Sequence, residues 1–349
     1  LGEFFYRNGI AADEDTFLTI EAPHPEPAGA EPFYSAQLNL IPVGGGKDSC
    51  VTLELLERVH AQNRLFMINV QPARDACAAA AGYAPGQVLH VLRTIDPALL
   101  ERNREGFLNG HTPFSAIVAF LGFYVSYLIG AEHIILSNEA SANAGNIAGS
   151  HVNHQYSKSF AFEQDFQRYA QKNLVPGIRY FSLMRPFNEL QIAKFFAARP
   201  QYHAIFRSCN AGSKQNIWCC NCAKCLFVCG ILSPFLPPEQ LRAIFGENLL
   251  EKEALIDIFD GLVGFSPVKP FECVGTQEEL RFALACTARQ YLARGEQLPA
   301  LLAYYAQRTD VEALAAKDDL LRALNEEHQI PALFQPYIKE MYRYVADLT

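Results

Sequence analysis

Short apolar runs recur through the first half of the chain, at Leu38–Val43, Leu65–Val70, Val88–Leu92 and Ile134–Leu136, with longer helix-compatible stretches between them. Runs of that length read as buried strands, and their alternation with helical segments predicts an α/β fold: a parallel sheet with flanking helices. The helices are expected over Cys50–Gln62, Pro97–Leu108, Ser115–Leu128, Phe162–Lys172 and Glu189–Ala198. After Pro238 the pattern changes. Strand signals nearly vanish, and Leu241–Phe245, Ala254–Val263, Glu278–Ala293, Leu298–Gln307 and Ile338–Ala346 carry apolar positions at helical spacing. Thr276 with Glu279 fits a capping box at the start of one of these helices. The opening differs again: two β-like runs, Phe4–Tyr6 and Thr16–Ile20, precede a Pro-rich stretch from Pro23 to Pro32. Residues 1–36 are therefore expected to be a short N-terminal β segment, 37–236 the main α/β domain and 237–349 a C-terminal helical lobe.

Composition narrows the classes of partner. Half of the residues are hydrophobic and 19% are charged, as in an ordered globular protein. A formal charge of −8 gives no overall footprint for a polyanion, so nucleic acid is not an expected partner. The apolar stretch from Ser115 to Gly130 is too short to span a bilayer comfortably and is interrupted by Tyr124, Ser126 and Tyr127, which predicts a buried helix and no membrane association. No targeting segment precedes it. A cytoplasmic protein is expected, and an opening at Leu1 predicts that this residue lies inside a longer sequence. Nothing in the pattern selects an oligomeric state.

The first candidate chemistry follows the first strand, where an apolar run enters Gly44-Gly45-Gly46-Lys47-Asp48-Ser49 and then a helix. Glycines let backbone amides approach phosphate oxygens, and the following helix start adds free N–H groups and the positive end of its dipole. A Walker loop would need glycine at Ile41 and Ser or Thr at Asp48, and a dinucleotide fingerprint would need glycine at Ser49, so neither fits. The segment instead resembles the pyrophosphate loop of the ATP pyrophosphatase superfamily, Ser-Gly-Gly-x-Asp-Ser, with Gly44 in place of the first serine. That resemblance implies ATP bound by Gly44, Gly45, Gly46, Lys47, Asp48 and Ser49, attack on the α-phosphate, release of pyrophosphate, and magnesium offsetting phosphate charge.

Half of the ten cysteines fall between Cys219 and Cys229 of this large chain, which favours metal binding or redox chemistry over a disulfide framework. Cys209, Cys219, Cys222 and Cys225 form a C-x9-C-x2-C-x2-C array that lets four thiolates meet at one tetrahedral ion. Zinc is the leading candidate and an iron–sulfur cluster its competitor. Cys220 and Cys229 leave the register ambiguous.

Two dense polar segments complete the picture. Ser137-Asn138-Glu139-Ala140-Ser141-Ala142-Asn143 directly follows the Ile134–Leu136 strand, where ligands gather at the carboxyl ends of parallel strands. Asn153-His154-Gln155-Tyr156-Ser157-Lys158-Ser159 follows, with Glu163 and Asp165 beyond it. Lys158, Glu139 and Glu163 are the candidate catalytic groups, and Ser137, Asn138, Asn143, Arg185 and Arg207 the candidate substrate contacts. Which group is acid and which is base stays open.

Taken in order with Gly44–Ser49, Arg185-Pro186, Arg207-Ser208-Cys209-Asn210, Trp218–Cys225 and Pro270-Phe271-Glu272-Cys273-Val274-Gly275-Thr276, these segments resemble the MurL family. The resemblance runs from about Gly44 into the helical lobe. It implies an ATP-consuming isomerase of bacterial peptidoglycan synthesis: the terminal L-glutamate of a UDP-muramoyl dipeptide is activated as an acyl-adenylate and epimerised, with release of AMP and pyrophosphate. Two other readings share the loop and the cysteines: a sulfur- or nitrogen-inserting enzyme that modifies nucleotides or transfer RNA, and a non-catalytic nucleotide-responsive module.

Overall fold

The computed structural model describes residues 2–11, 17–19, 21, 33–110, 112–145, 152–317 and 319–346. At its centre lie five strands, β1 (Leu38–Pro42), β2 (Asn63–Ile68), β3 (Val88–Val91), β4 (Ala131–Leu136) and β5 (Arg179–Ser182), all parallel and in the order β3-β2-β1-β4-β5. Helices α1 (Gly2–Asn8), α2 (Lys47–Leu55), α3 (Pro72–Ala80), α4 (Pro97–Arg104), α5 (Phe114–Ile129), α6 (Phe160–Asn173) and α7 (Glu189–Ala197) accompany the sheet. The remainder is helical: α8 (Ala223–Leu232), α9 (Pro238–Phe245), α10 (Ile256–Val263), α11 (Gln277–Ala293), α12 (Ala300–Ala306), α13 (Val311–Ala315), α14 (Asp319–Arg322) and α15 (Gln335–Ala346).

Successive strand residues point to opposite faces, and both faces are covered. Leu40, Phe66, Ile134 and Tyr180 pack with apolar residues of α5 and α6, including Val125, Phe123 and Phe166. Ile41, Leu65, Met67, Ile135 and Phe181 face the other way, into a core that continues through α2 and α7 to Leu284 and Met341 of the helical region. Burial on both faces explains why the strands read as continuous apolar runs.

A polar ladder fixes the register at the amino ends. Asn39 donates to Asn63 Oδ1 (2.9 Å), Asn63 donates to the Leu56 carbonyl (3.1 Å) and to Tyr83 Oη (2.9 Å), and His133 Nδ1 lies 3.1 Å from Asn39 Oδ1. Sliding a strand by one residue would leave these buried amides without partners, at about 1–3 kcal/mol each. The carboxyl ends are thereby aligned. The chain leaves β1 for β2 on one side, and β4 returns on the other, which makes the carboxyl ends of β1 and β4 a topological switch point.

Two expectations are corrected. Phe4–Tyr6 lies in helix α1, where Glu3 and Arg7 pair one turn apart (2.7 Å) and the aromatic rings pack sideways; three residues are too few to tell a strand from a helix by periodicity. Of Thr16–Ile20, residues 17–19 are not strand, and its ends, like all of Pro23–Pro32, lie outside the described residues. Strand β5 was not anticipated, because exposed Arg179 opens a run of only four residues. Helix α2 starts at Lys47 and stops at Leu55, giving way to a 3-10 turn over Glu57–Gln62. No helix among the described residues is long and apolar enough to cross a membrane.

Candidate active site

The loop after β1 lies at the switch point. Gly45 has φ +79°, and a Cβ there would stand 3.2 Å from the Arg74 side chain, so glycine is needed on both counts. Arg207 donates its backbone N–H to the Gly45 carbonyl (2.8 Å) and so anchors the loop from the far side. Gly46 caps α2 without any side-chain hydrogen bond to the first-turn amides. Ser49 Oγ donates to the Gly46 carbonyl (2.9 Å), closing the turn.

Lys47 turns inward. Its ammonium pairs with Asp48 and Glu189, and both Lys47 and Glu189 are buried. Burial alone would lower the Lys47 pKa, but the two carboxylates hold it above its ordinary value. Asp48 is held below the usual carboxylate range: burial opposes ionisation, and Lys47, Lys224 and Lys158 outweigh it. Burial pushes Glu189 up to about 7, Lys47 opposing and the charges of Asp48 and Glu139 assisting. Oxygens of Asp48, Glu139 and Glu189 all lie within 4.8 Å of one another, a donor set suited to an oxygen-loving cation.

The loop after β4 is held from below. Ser137 Oγ shares a hydrogen bond with Thr52 Oγ1 (2.8 Å), and the Asn138 carbonyl accepts from Ser182 Oγ (2.6 Å). Arg185 is fully buried. It donates to the carbonyls of Glu139 (2.8 Å) and Lys158 (2.6 Å) and pairs with Glu163 (3.0 Å). Removing one partner of such a pair costs about 3–5 kcal/mol, because the other charge is stranded in the interior. Glu163 and Arg185, expected as a catalytic group and a substrate contact, are both buried, and Arg185 holds the carbonyls of Glu139 and Lys158 from beneath. Asn143 is exposed and accepts from the Phe160 N–H (2.8 Å). Arg207 stays beside the phosphate loop, partly buried, its guanidinium donating to the carbonyls of Phe206 (2.6 Å) and Asn216 (3.3 Å).

Several functional positions escape sequence reading. Glu189 appears there only as a helix start, and Glu279 only as a cap. In the fold Glu279 accepts from the Glu189 N–H (2.8 Å), from Thr276 Oγ1 (2.7 Å) and from Ser141 Oγ, tying α7, α11 and the β4 loop together. Lys224 is buried and donates to the Cys273 carbonyl. Lys158 faces the side chain of Cys273 and feels Glu139 and Asp48; burial would lower its pKa, and these anions hold it above the ordinary value.

The four cysteines also meet. Cys209–Cys222, Cys219–Cys225 and Cys222–Cys225 have Sγ separations of 3.9, 3.8 and 3.5 Å. Zinc–thiolate bonds of about 2.3 Å in a tetrahedron imply sulfur–sulfur edges of about 3.8 Å. The Gly212 N–H donates to Cys209 Sγ (3.2 Å), the kind of outer contact that orients a metal thiolate. The register resolves: Cys220, at φ +56°, turns its thiol to the Phe245 carbonyl (3.1 Å), and Cys229 is buried within α8.

A parallel sheet whose glycine loop and buried charges meet at the switch point defines an α/β protein with a candidate ligand site at the carboxyl ends of the strands. The comparisons narrow this further. The MurL N-terminal domain matches residues 1–183 and the MurL C-terminal domain matches 205–318, and the chain belongs to the MurL family. A relative from Xanthomonas oryzae pv. oryzae is 37% identical over 345 residues, covering 95% of this chain and 74% of its own length. One from Micromonospora is 35% identical over 348 residues, covering 98% and 76%. Both are named UDP-N-acetyl-alpha-D-muramoyl-L-alanyl-L-glutamate epimerase, an isomerase activity. The site draws on both matched segments: Asp48, Glu139 and Lys158 come from the first, Lys224, Cys273 and Glu279 from the second.

Proposed function

We propose that this chain epimerises the terminal L-glutamate of UDP-N-acetylmuramoyl-L-alanyl-L-glutamate to D-glutamate through an acyl-adenylate, releasing AMP and pyrophosphate. The observation that carries the reading is the convergence of the Asp48, Glu139 and Glu189 carboxylates beside the Gly44–Ser49 loop, in a chain whose relatives bear that epimerase name. The uncapped start of α2 and the loop amides suit phosphate oxygens. Asp48, Glu139 and Glu189 would hold magnesium, which would supply the charge that offsets the departing pyrophosphate.

The chemistry explains the need for ATP. Taking the α-proton from a free glutamate carboxylate places a second negative charge beside the first. Adenylation removes the carboxylate charge, so the enolate that follows can be stabilised by a nearby cation. Lys158 and Lys224 supply such cations, and Arg185, by holding the Glu139 and Lys158 carbonyls, keeps the polar groups in place before substrate arrives. Water then releases AMP and the inverted product.

Incubation with ATP, magnesium and the UDP-muramoyl dipeptide, followed by chiral analysis of the glutamate and assay of AMP, tests substrate and reaction together. D-glutamate and AMP should appear in parallel. Recovery of L-glutamate alone, with no AMP, contradicts the proposal.

The same reading assigns zinc to the four cysteines, in a structural role. An iron–sulfide cage would stand between its ligands and hold their sulfurs farther apart than 3.5–3.9 Å. Elemental analysis is expected to give about one zinc per chain, and Cys222→Ser should lose it together with thermal stability. A colourless, metal-free and fully active preparation contradicts the assignment.

A further inference from the structure

Cys273 lies on the strap between α10 and α11 and has an environment unlike that of the other thiols. Its sulfur makes side-chain hydrogen bonds with His154 and Lys158, while its backbone carbonyl accepts from Lys224. His154 in turn bonds Glu3, which is itself buried on α1. Helix α1 covers this strap, with Arg7 5.1 Å from the Phe271 ring centroid and the Tyr6 ring tilted against the same ring at 5.7 Å. Glu272, the next residue, points away to Asn210 (3.0 Å). Lys158 is shared: it interacts with Cys273 and also with Glu139 and Asp48, so one lysine links the sulfur to the carboxylates beside the Gly44–Ser49 loop.

A thiol that served only packing would have apolar neighbours. Cys229 and Cys286 are of that kind, and burial pushes them up, Cys229 to about 12 and Cys286 to about 11. Burial would push Cys273 up as well, but Lys158, the His154 hydrogen bond and Lys224 together bring it down to about 6. The thiolate form is therefore favoured over that of an ordinary thiol, and the sulfur stands beside a cation able to receive an enolate oxygen.

Building on the epimerase reading above, we propose that the Cys273 thiolate moves the α-proton on one face of the glutamyl adenylate. The C–H bond breaks and an S–H bond forms. The electron pair of the C–H bond passes to the adenylate carbonyl oxygen, giving an enolate beside Lys158. A proton derived from water reaches Cα from the opposite face and completes the inversion. The thiol then returns its proton to solvent through His154, which Glu3 orients; Glu3 is a positioning residue.

The test follows two products separately, with ATP, magnesium and the UDP-muramoyl dipeptide in D₂O. Deuterium placed at Cα per AMP formed should fall at least about 10²-fold in Cys273→Ala and in Cys273→Ser relative to the native chain, the size expected for loss of a positioned base. A ratio within a few-fold of native in either variant overturns the thiolate assignment and leaves the epimerase reading standing. A native chain that forms no AMP and inverts nothing overturns the epimerase reading, and this assignment with it. A second measurement needs no Cys273 variant. Iodoacetamide labelling of Cys273 in the native chain should rise with pH through about 6, as the thiolate forms, and be blocked by ATP with the dipeptide. Lys158→Met should move the midpoint upward by removing the largest stabilising charge, and a native midpoint in the ordinary thiol range of about 8.5 overturns the proposal.

Discussion

Asp48→Ala is expected to lower AMP and pyrophosphate formation by about 10³-fold or more in a protein that still folds. The two halves of that expectation rest on different quantities. Asp48 occupies the first turn of α2 and is partly exposed, 26% at its side chain, so the helix loses one favourable charge–dipole interaction worth about 0.3–1 kcal/mol. Lys47 keeps Glu189 as its partner. Against a typical stability of about 5–15 kcal/mol that loss is tolerable. In the site, by contrast, Asp48 is a carboxylate held ionised by Lys47, Lys224 and Lys158 and grouped with Glu139 and Glu189 where magnesium is proposed to sit. Fixed charges of that kind are worth about 10²–10³ in rate each, and loss of a cation ligand adds to this. Steady-state AMP release, with circular dichroism as the folding control, decides it. Native turnover by a folded Asp48→Ala chain refutes the phosphate-loop reading.

Much of the fold is legible because its determinants are local. Strands covered on both faces are apolar along most of their length, so β1, β2 and β4 stand out as runs despite Asn39, Asn63 and His133, and the Thr276–Glu279 capping box marks the start of α11 to the residue. Strand β5 escapes because Arg179 interrupts a run already at the lower limit of length. Helix α1 is misread because seven residues give too few turns for period 3.6 to separate from period 2.

The site divides along the same line. Its phosphate loop and its sulfur quartet are written within short segments, so their residue types and spacings carry the signal. The buried charges are not. Lys47 meets Glu189 across 142 positions, and Ser141 meets Glu279 across 138, so no window of sequence contains either pair. Nor does sequence distinguish a lysine or arginine that reaches substrate from one consumed by the scaffold: Arg185 and Lys158 look alike as isolated cations, and only the fold buries the first among carbonyls. Cys273 carries no spacing signature at all, because its partners come from a turn 119 or fewer positions upstream and from α8.

The central claim is that adenylation makes the α-proton removable, and solvent exchange at the glutamate α-carbon measures this most directly. The free carboxylate and its carbanion would carry two adjacent negative charges, whereas the adenylate has lost the first and offers its carbonyl oxygen to Lys158. ATP dependence should therefore be all-or-none. In D₂O with ATP, magnesium and the UDP-muramoyl dipeptide, deuterium is expected at the α-carbon of the D-glutamate product, with AMP formed alongside. Omission of ATP, or use of Asp48→Ala, should reduce both to background. Undiminished deuterium uptake and inversion without ATP contradict the account, because adenylation is then not the activating step.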